Sequence, residues 1–242
     1  MIFLHGQFGD PSDSSEIFKT QKNLYSFPIY DFQIQNRGSN LWDMAKGMGR
    51  EIQRLGFLGQ GLVGYSYGGR LALHLILKFP KLFKWAVLVG SHPGLATRCE
   101  QIERLSWDSS WADKINQAQS PNDWEKLESQ WNSLEVFRDS VTRKMSFPKT
   151  IELKNALSET FRLQGLGSQQ FLLPRLHAVQ IPVLWVTGEK EKSLGELHTK
   201  LLNQNKLFYQ ARLTGAGHRV PWDKNKEFNE LIYDFSARLG RD

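Results

Sequence analysis

The segment Gly64-Tyr65-Ser66-Tyr67-Gly68-Gly69-Arg70 joins an apolar run, Gly61-Leu62-Val63, to a stretch that carries Leu71, Ala72, Leu75 and Ile76 on one helical face. Glycine weakens strands and helices alike. A serine set among glycines at such a junction therefore marks backbone that needs room. The pattern G-x-S-x-G between a strand and a helix builds a sharp, strained turn that lifts the serine hydroxyl above a sheet. The helix beneath it presents free N–H groups and a positive dipole end. On this reading Ser66 does chemistry.

A reactive serine needs a base, and among six histidines His218 has the context for one. It ends the run Thr214-Gly215-Ala216-Gly217-His218, after the last strand candidate and before the last helix. The base needs a carboxylate to hold its tautomer. Glu191 is the first choice, and Glu189 is the alternative; both follow the apolar run Val183–Thr187. Asp223 lies close after His218 and reads as the N-cap of a helix over 225–239. Developing negative charge needs donors. The loop His5-Gly6-Gln7-Phe8-Gly9 supplies one backbone N–H, from Gln7 or else Phe8, and Tyr67 supplies the other. His5 braces that loop, and Phe8 is placed at the substrate. Arg70 stands one helical turn past Ser66. A cation in a first turn opposes the helix dipole, which favours a ligand role: its planar fork suits a carboxylate.

Short runs rich in Val, Ile and Phe recur at 1–4, 27–31, 61–65, 85–90, 181–187 and 207–213. Continuous apolarity marks parallel strands covered on both faces. Helical patterns at 41–55, 68–79 and 225–239 alternate with them, which gives an open α/β sheet. The stretch 93–176 shows no strand pattern and holds Trp107, Trp111, Trp124 and Trp131. It reads as a helical cap inserted into a core made of 1–92 and 177–242. The tryptophans read as cap packing before substrate contact.

The single cysteine, Cys99, rules out an internal disulfide and points to a cytoplasmic home. The apolar start Ile2-Phe3-Leu4 is too short for a signal peptide, and no run is long enough to span a membrane. The net charge is +6, but lysine and arginine are scattered without a dense run. That argues against a nucleic acid and suits a small anionic or acyl substrate. His74, His92, His177 and His198 form no ligand spacing, so neither a metal nor another cofactor is expected. Monomer and homodimer are both compatible with the sequence.

Together, these residues resemble the α/β-hydrolase superfamily. The resemblance implies a mostly parallel sheet flanked by helices, with two strands of the family fold missing ahead of the His5-Gly6 strand. More narrowly, H-G-Q-F-G, G-Y-S-Y-G-G-R and Gly90-Ser91-His92-Pro93-Gly94-Leu95 look like the 2-succinyl-6-hydroxy-2,4-cyclohexadiene-1-carboxylate (SHCHC) synthases of menaquinone synthesis. So do Glu103-Arg104, Asp108-Ser109-Ser110-Trp111-Ala112, Gly165-Leu166-Gly167 and Pro174-Arg175-Leu176. That likeness implies a cofactor-free lyase in which the serine acts as a base and pyruvate is eliminated. The chain departs from the family in three places. Glu191 stands for an aspartate, Ser110 for an arginine and Asn132 for a tyrosine. Arg104 and Arg143 are candidates to restore the lost anion contacts. The alternatives are a serine hydrolase of esters or thioesters, and a binding protein on the same scaffold.

Overall fold

The computed structural model describes residues 1–19, 21–191 and 204–239. Its sheet is built from β1 (Ile2–Leu4), β2 (Tyr25–Ser26), β3 (Gln60–Tyr65), β4 (Phe83–Val89), β5 (Val183–Gly188) and β6 (Phe208–Leu213). The spatial order is β2-β1-β3-β4-β5-β6, and every neighbouring pair is parallel. Parallel neighbours need crossovers, and helices supply them over both faces. This is an α/β-hydrolase fold.

On one face, α3 (Leu41–Arg54) and α4 (Tyr67–Lys78) bury Met44, Met48, Leu71 and Leu75 against Leu62, Ala86 and Trp185. Asn40 caps α3 by accepting from the N–H groups of Trp42 and Asp43. On the other face, α1 (Asp13–Ile17) and α9 (Asn225–Leu239) bury Ile17, Phe228 and Ile232 against Val63, Val87 and Val186. The continuous apolarity of β3, β4 and β5 follows from this double covering.

The run 27–31 is not the strand expected from its composition. The strand is Tyr25–Ser26, and α2 (Ile29–Gln35) begins directly after Pro28. Proline brings no N–H to a ladder but suits a helix entry. From there Ile29, Tyr30 and Gln33 are buried at helical spacing.

Between β4 and β5 the chain forms α5 (Arg98–Gln117), α6 (Pro121–Asn132) and α7 (Ile151–Gln164), with no strand. Thr97–Glu100 and Ser120–Asp123 close reciprocal capping boxes at the starts of α5 and α6. These helices enclose their own apolar centre, with Trp111, Trp131 and Phe161 around the ring of Phe8. The sheet-side core resumes before residue 177: Leu172 and Leu176 already pack with α3 and α4. No helix among the described residues is long and apolar enough to cross a membrane.

Candidate active site

Ser66 sits between β3 and α4 at φ +51°, in the left-handed region, a strained conformation for a residue with a side chain. The flanking glycines show what holds it there. A Cβ on Gly68 would lie 2.2 Å from the Leu4 carbonyl oxygen. One on Gly64 would lie 2.5 Å from the carbonyl oxygen of Gly68. Strand, turn and helix thus pass at backbone contact. The Ser66 N–H is held by the Val89 carbonyl at 2.8 Å.

The structure brings Ser66, His218 and Glu191 together. The Ser66 hydroxyl lies 3.2 Å from Nε2 of His218, whose Nδ1 contacts Oε1 of Glu191. A carboxylate facing Nδ1 keeps the proton there, so Nε2 is free to accept from the serine. His218 and Glu191 are both buried, and Phe137 lies against the imidazole. Glu189 is engaged elsewhere: it accepts from the Gly215 N–H at 2.9 Å, holding the loop that carries the histidine. Asp223 is not the cap of α9. It ends a short helix, α8 (Val220–Asp223), and accepts from the N–H groups of Gly217 and Val141 and from the Ser140 hydroxyl. Three donors fix its carboxylate on the histidine loop and on the cap segment beside it.

At the other side of the serine, the N–H of Phe8 donates to the Tyr30 hydroxyl at 2.9 Å. It is thereby removed as an oxyanion donor, and Gln7 is left as the loop's candidate opposite Tyr67. The Phe8 ring is almost fully buried in the cap's aromatic centre and lines only a small side chamber beside Ser66. His5 does brace its loop, through Nδ1 to the Gly6 carbonyl.

Ser66, Tyr67, Arg70, Glu191 and His218 line a cavity of about 420 Å³ under the cap. Arg70 is buried, and its Nη1 donates to two neutral oxygens among the described residues: the Gln164 carbonyl at 2.8 Å and Oε1 of Gln169 at 3.1 Å. Burial pushes its pKa down to about 10, so it stays cationic at neutral pH. Arg104 also reaches the cavity, lying over Trp107 and paired with Asp108 at 2.9 Å. Arg143 does not reach it; it pairs with Asp13 at 2.7 Å and stacks on Trp222. Of the tryptophans, Trp107 and Trp131 line the cavity, Trp111 is cap core, and Trp124 packs on Phe147.

Two cavity residues lie in segments that carried the family resemblance but were given no role of their own from the sequence. His92 was one more histidine without ligand spacing. It lines the wall with Nδ1 accepting from the Gly94 N–H at 3.1 Å, so its proton sits on Nε2. Burial, and then Arg70 and Arg104 nearby, push its pKa down to about 4. Asp108 anchors the Gly165–Gly167 turn by accepting from the Gly167 N–H at 2.9 Å. No group of three metal-binding side chains occurs among the described residues, and His198 lies outside them.

Comparison with known proteins adds four findings. A family model described as alpha/beta hydrolase fold matches residues 18–224. The chain is 27% identical over 199 residues to the 2-succinyl-6-hydroxy-2,4-cyclohexadiene-1-carboxylate synthase of Pectobacterium atrosepticum, covering 79% of this chain and 77% of that protein. With the enzyme of the same name from Yersinia enterocolitica it shares 23% over 246 residues, 98% of this chain and 86% of the relative. Among solved structures, MenH from S. aureus superposes with a TM-score of 0.84 at 20% identity, over 99% of this chain and 93% of that one.

Proposed function

Starting from the fact that the chain belongs to the α/β-hydrolase fold family, we propose that it is a lyase like the SHCHC synthases, one that eliminates pyruvate from a succinyl-bearing cyclohexene carboxylate. The observation that carries this reading is Arg70. It is a guanidinium inside the cavity, one turn from Ser66, and its hydrogen-bond acceptors among the described residues are neutral oxygens. The Asp108 carboxylate, which attracts it from across the cavity, is itself paired with Arg104, so Arg70 makes no direct ion pair with a described residue. A buried cation whose hydrogen bonds go to neutral groups is a liability for a neutral ester and an asset for a carboxylate substrate.

In the proposed reaction His218 takes the Ser66 proton through Nε2, and the serine oxygen removes a proton from carbon next to the succinyl carbonyl. The electrons of that C–H bond move onto the carbonyl oxygen. The N–H groups of Gln7 and Tyr67 stabilise the resulting enolate. Its collapse restores the carbonyl and breaks the bond to the leaving group, which takes up one proton and departs as pyruvate. Glu191 stabilises the imidazolium while the proton is held there. Arg70 binds a substrate carboxylate throughout, with Arg104 at the cap side. No oxidant, metal or second substrate enters this balance.

The test is pyruvate release from the succinyl-bearing cyclohexene carboxylate, run beside a panel of p-nitrophenyl esters. The lyase reading expects rapid pyruvate formation and poor ester turnover, with both lost on Ser66→Ala and on His218→Ala by about 10³-fold or more. Fast ester hydrolysis without pyruvate release would replace it with a serine hydrolase that uses the same residues through an acyl-enzyme. Neither activity in the wild type would leave a binding protein.

A further inference from the structure

Gln164 is the last residue of α7, on the cap, yet its fully buried side chain works on the core. Its Oε1 contacts the Tyr67 hydroxyl. Its Nε2 donates to Oε1 of Gln33 at 2.6 Å and to the Ser39 carbonyl at 2.8 Å. The orientation of this amide is forced, because a backbone carbonyl only accepts. Nε2 must face Ser39, Oε1 must face Tyr67, and the phenol must be the donor. Burial raises the Tyr67 pKa, so the hydroxyl keeps its proton. Gln33 is fixed in turn, since its Nε2 donates to Glu159 at 2.9 Å. The backbone carbonyl of the same Gln164 accepts from Arg70.

One cap residue thus holds both the side chain of the elbow residue Tyr67 and the guanidinium that faces the cavity. Tyr67 and Arg70 also lie against each other, with the guanidinium carbon 5.3 Å from the ring centroid. The N–H of Tyr67 is the donor that the elbow geometry assigns to the oxyanion. Its direction depends on the peptide plane that follows Ser66 at positive φ, a strained conformation that persists only where its surroundings hold it. Anchoring the phenol at the far end of the side chain adds a restraint from the cap to those the glycine crossings supply.

We infer that Gln164 is a positioning residue: through the Tyr67 hydroxyl it aims the oxyanion donor, and through its carbonyl it aims Arg70, so the two are set only when α7 is docked on the core. This inference rests on the proposed roles of Ser66, His218 and Tyr67, and it holds for lyase or hydrolase chemistry alike. It assigns the cap a part in assembling the site, beyond roofing the cavity.

A neutral serine-reactive phosphonate tests it, because phosphonylation needs the nucleophile, the base and the oxyanion donors but no particular substrate. Inactivation is followed for the wild type, Tyr67→Phe, Gln164→Leu and the double variant, with Ser66 labelling read by mass spectrometry. Tyr67→Phe keeps the N–H and loses only the hydroxyl. Each single change is expected to lower the limiting inactivation rate roughly tenfold, leaving the half-saturating concentration unchanged, and the double variant is expected to be no slower than either single. Unchanged rates, losses that multiply in the double variant, or losses confined to half-saturation overturn the inference. The last pattern would mean that the cap only shapes the cavity wall. If Gln164→Leu fails to fold, Tyr67→Phe alone decides, since an unaltered limiting rate there refutes the claim. Absence of Ser66 labelling in the wild type is a separate result: it removes the Ser66–His218 reading and the positioning role with it.

Discussion

Glu189 and Glu191 are two positions apart on one loop, and their side chains do different work. Glu191 meets Nδ1 of His218, whereas Glu189 accepts from the Gly215 N–H. Glutamine at 191 keeps the shape but presents an amide that can set the wrong imidazole tautomer. Glu191→Gln is expected to lower kcat by about 10³- to 10⁴-fold, as loss of the orienting carboxylate does in a serine triad. Glu189→Gln keeps an acceptor for Gly215 and is expected to stay within about threefold of wild type, as a change clear of the reacting atoms should. The reverse order in a steady-state assay would move the acid to 189. Arg70 makes a separate prediction at the same scale. A charge-assisted hydrogen bond to a carboxylate contributes about 1.5–3 kcal/mol, so Arg70→Gln should raise KM for the carboxylate substrate by about 10- to 100-fold. Phosphonylation by a neutral reagent should fall far less. An equal loss on both probes would make Arg70 a structural residue.

At the level of elements, the elbow depends on two main-chain crossings. The 2.2 Å approach at Gly68 is to backbone oxygen, which cannot swing aside as a side chain does. Gly68→Ala must push α4 away from β1 and is expected to cost about 3 kcal/mol or more, within the range of severe backbone clashes. Urea unfolding would show it as a lower midpoint at unchanged slope; a midpoint equal to wild type would mean the crossing has slack. This crossing was readable in the sequence because two glycines around a serine at a strand–helix junction have few other uses. Strands β3, β4 and β5 were equally readable, since burial on both faces leaves an unbroken apolar run. The segment at 27–31 was not, because Ile29 and Tyr30 suit either element, and the decision falls to Pro28 and to a partner helix on the cap. Asp223 misled for a related reason. Its spacing before α9 fits an N-cap, but the Ser140–Val141 loop, distant in sequence, and the nearby Gly217 offer it N–H and O–H donors. Gln164 carried no signal at all: a lone amide at the end of a helix looks like surface until the fold brings Tyr67, Gln33 and Ser39 around it.

Across the whole molecule, burial of histidine ties stability to pH. His5 and His74 are fully buried and His92 largely so, and burial pushes all three down to about 4. In the unfolded chain each titrates near 6.5. Above about pH 6.5 both states are neutral at these sites and no slope arises. Between about 6.5 and 4 the unfolded state binds protons that the folded state refuses, so stability falls as pH falls. Each site contributes up to about 1.4 kcal/mol per pH unit in that window. Asp13 acts in the opposite sense: burial raises its pKa, so the folded state takes its proton first and gains a little on acidification. The three buried histidines outweigh this one carboxylate, and the net direction is acid destabilisation. Urea titrations at half-unit steps from pH 7 to 4.5 should show a flat top and then a steep decline, well before the ordinary carboxylates titrate. His74 isolates one contribution, since its Nδ1 contacts the Arg70 carbonyl and its ring packs on Trp42, away from Ser66. His74→Asn lowers the plateau by loss of packing, but the informative quantity is the slope. That slope should flatten by about 1.4 kcal/mol per pH unit across pH 6 to 5. An unaltered slope would mean that His74 takes up its proton in the folded protein as readily as in the unfolded chain, and that opening of the surrounding core, rather than histidine burial, sets the acid limit.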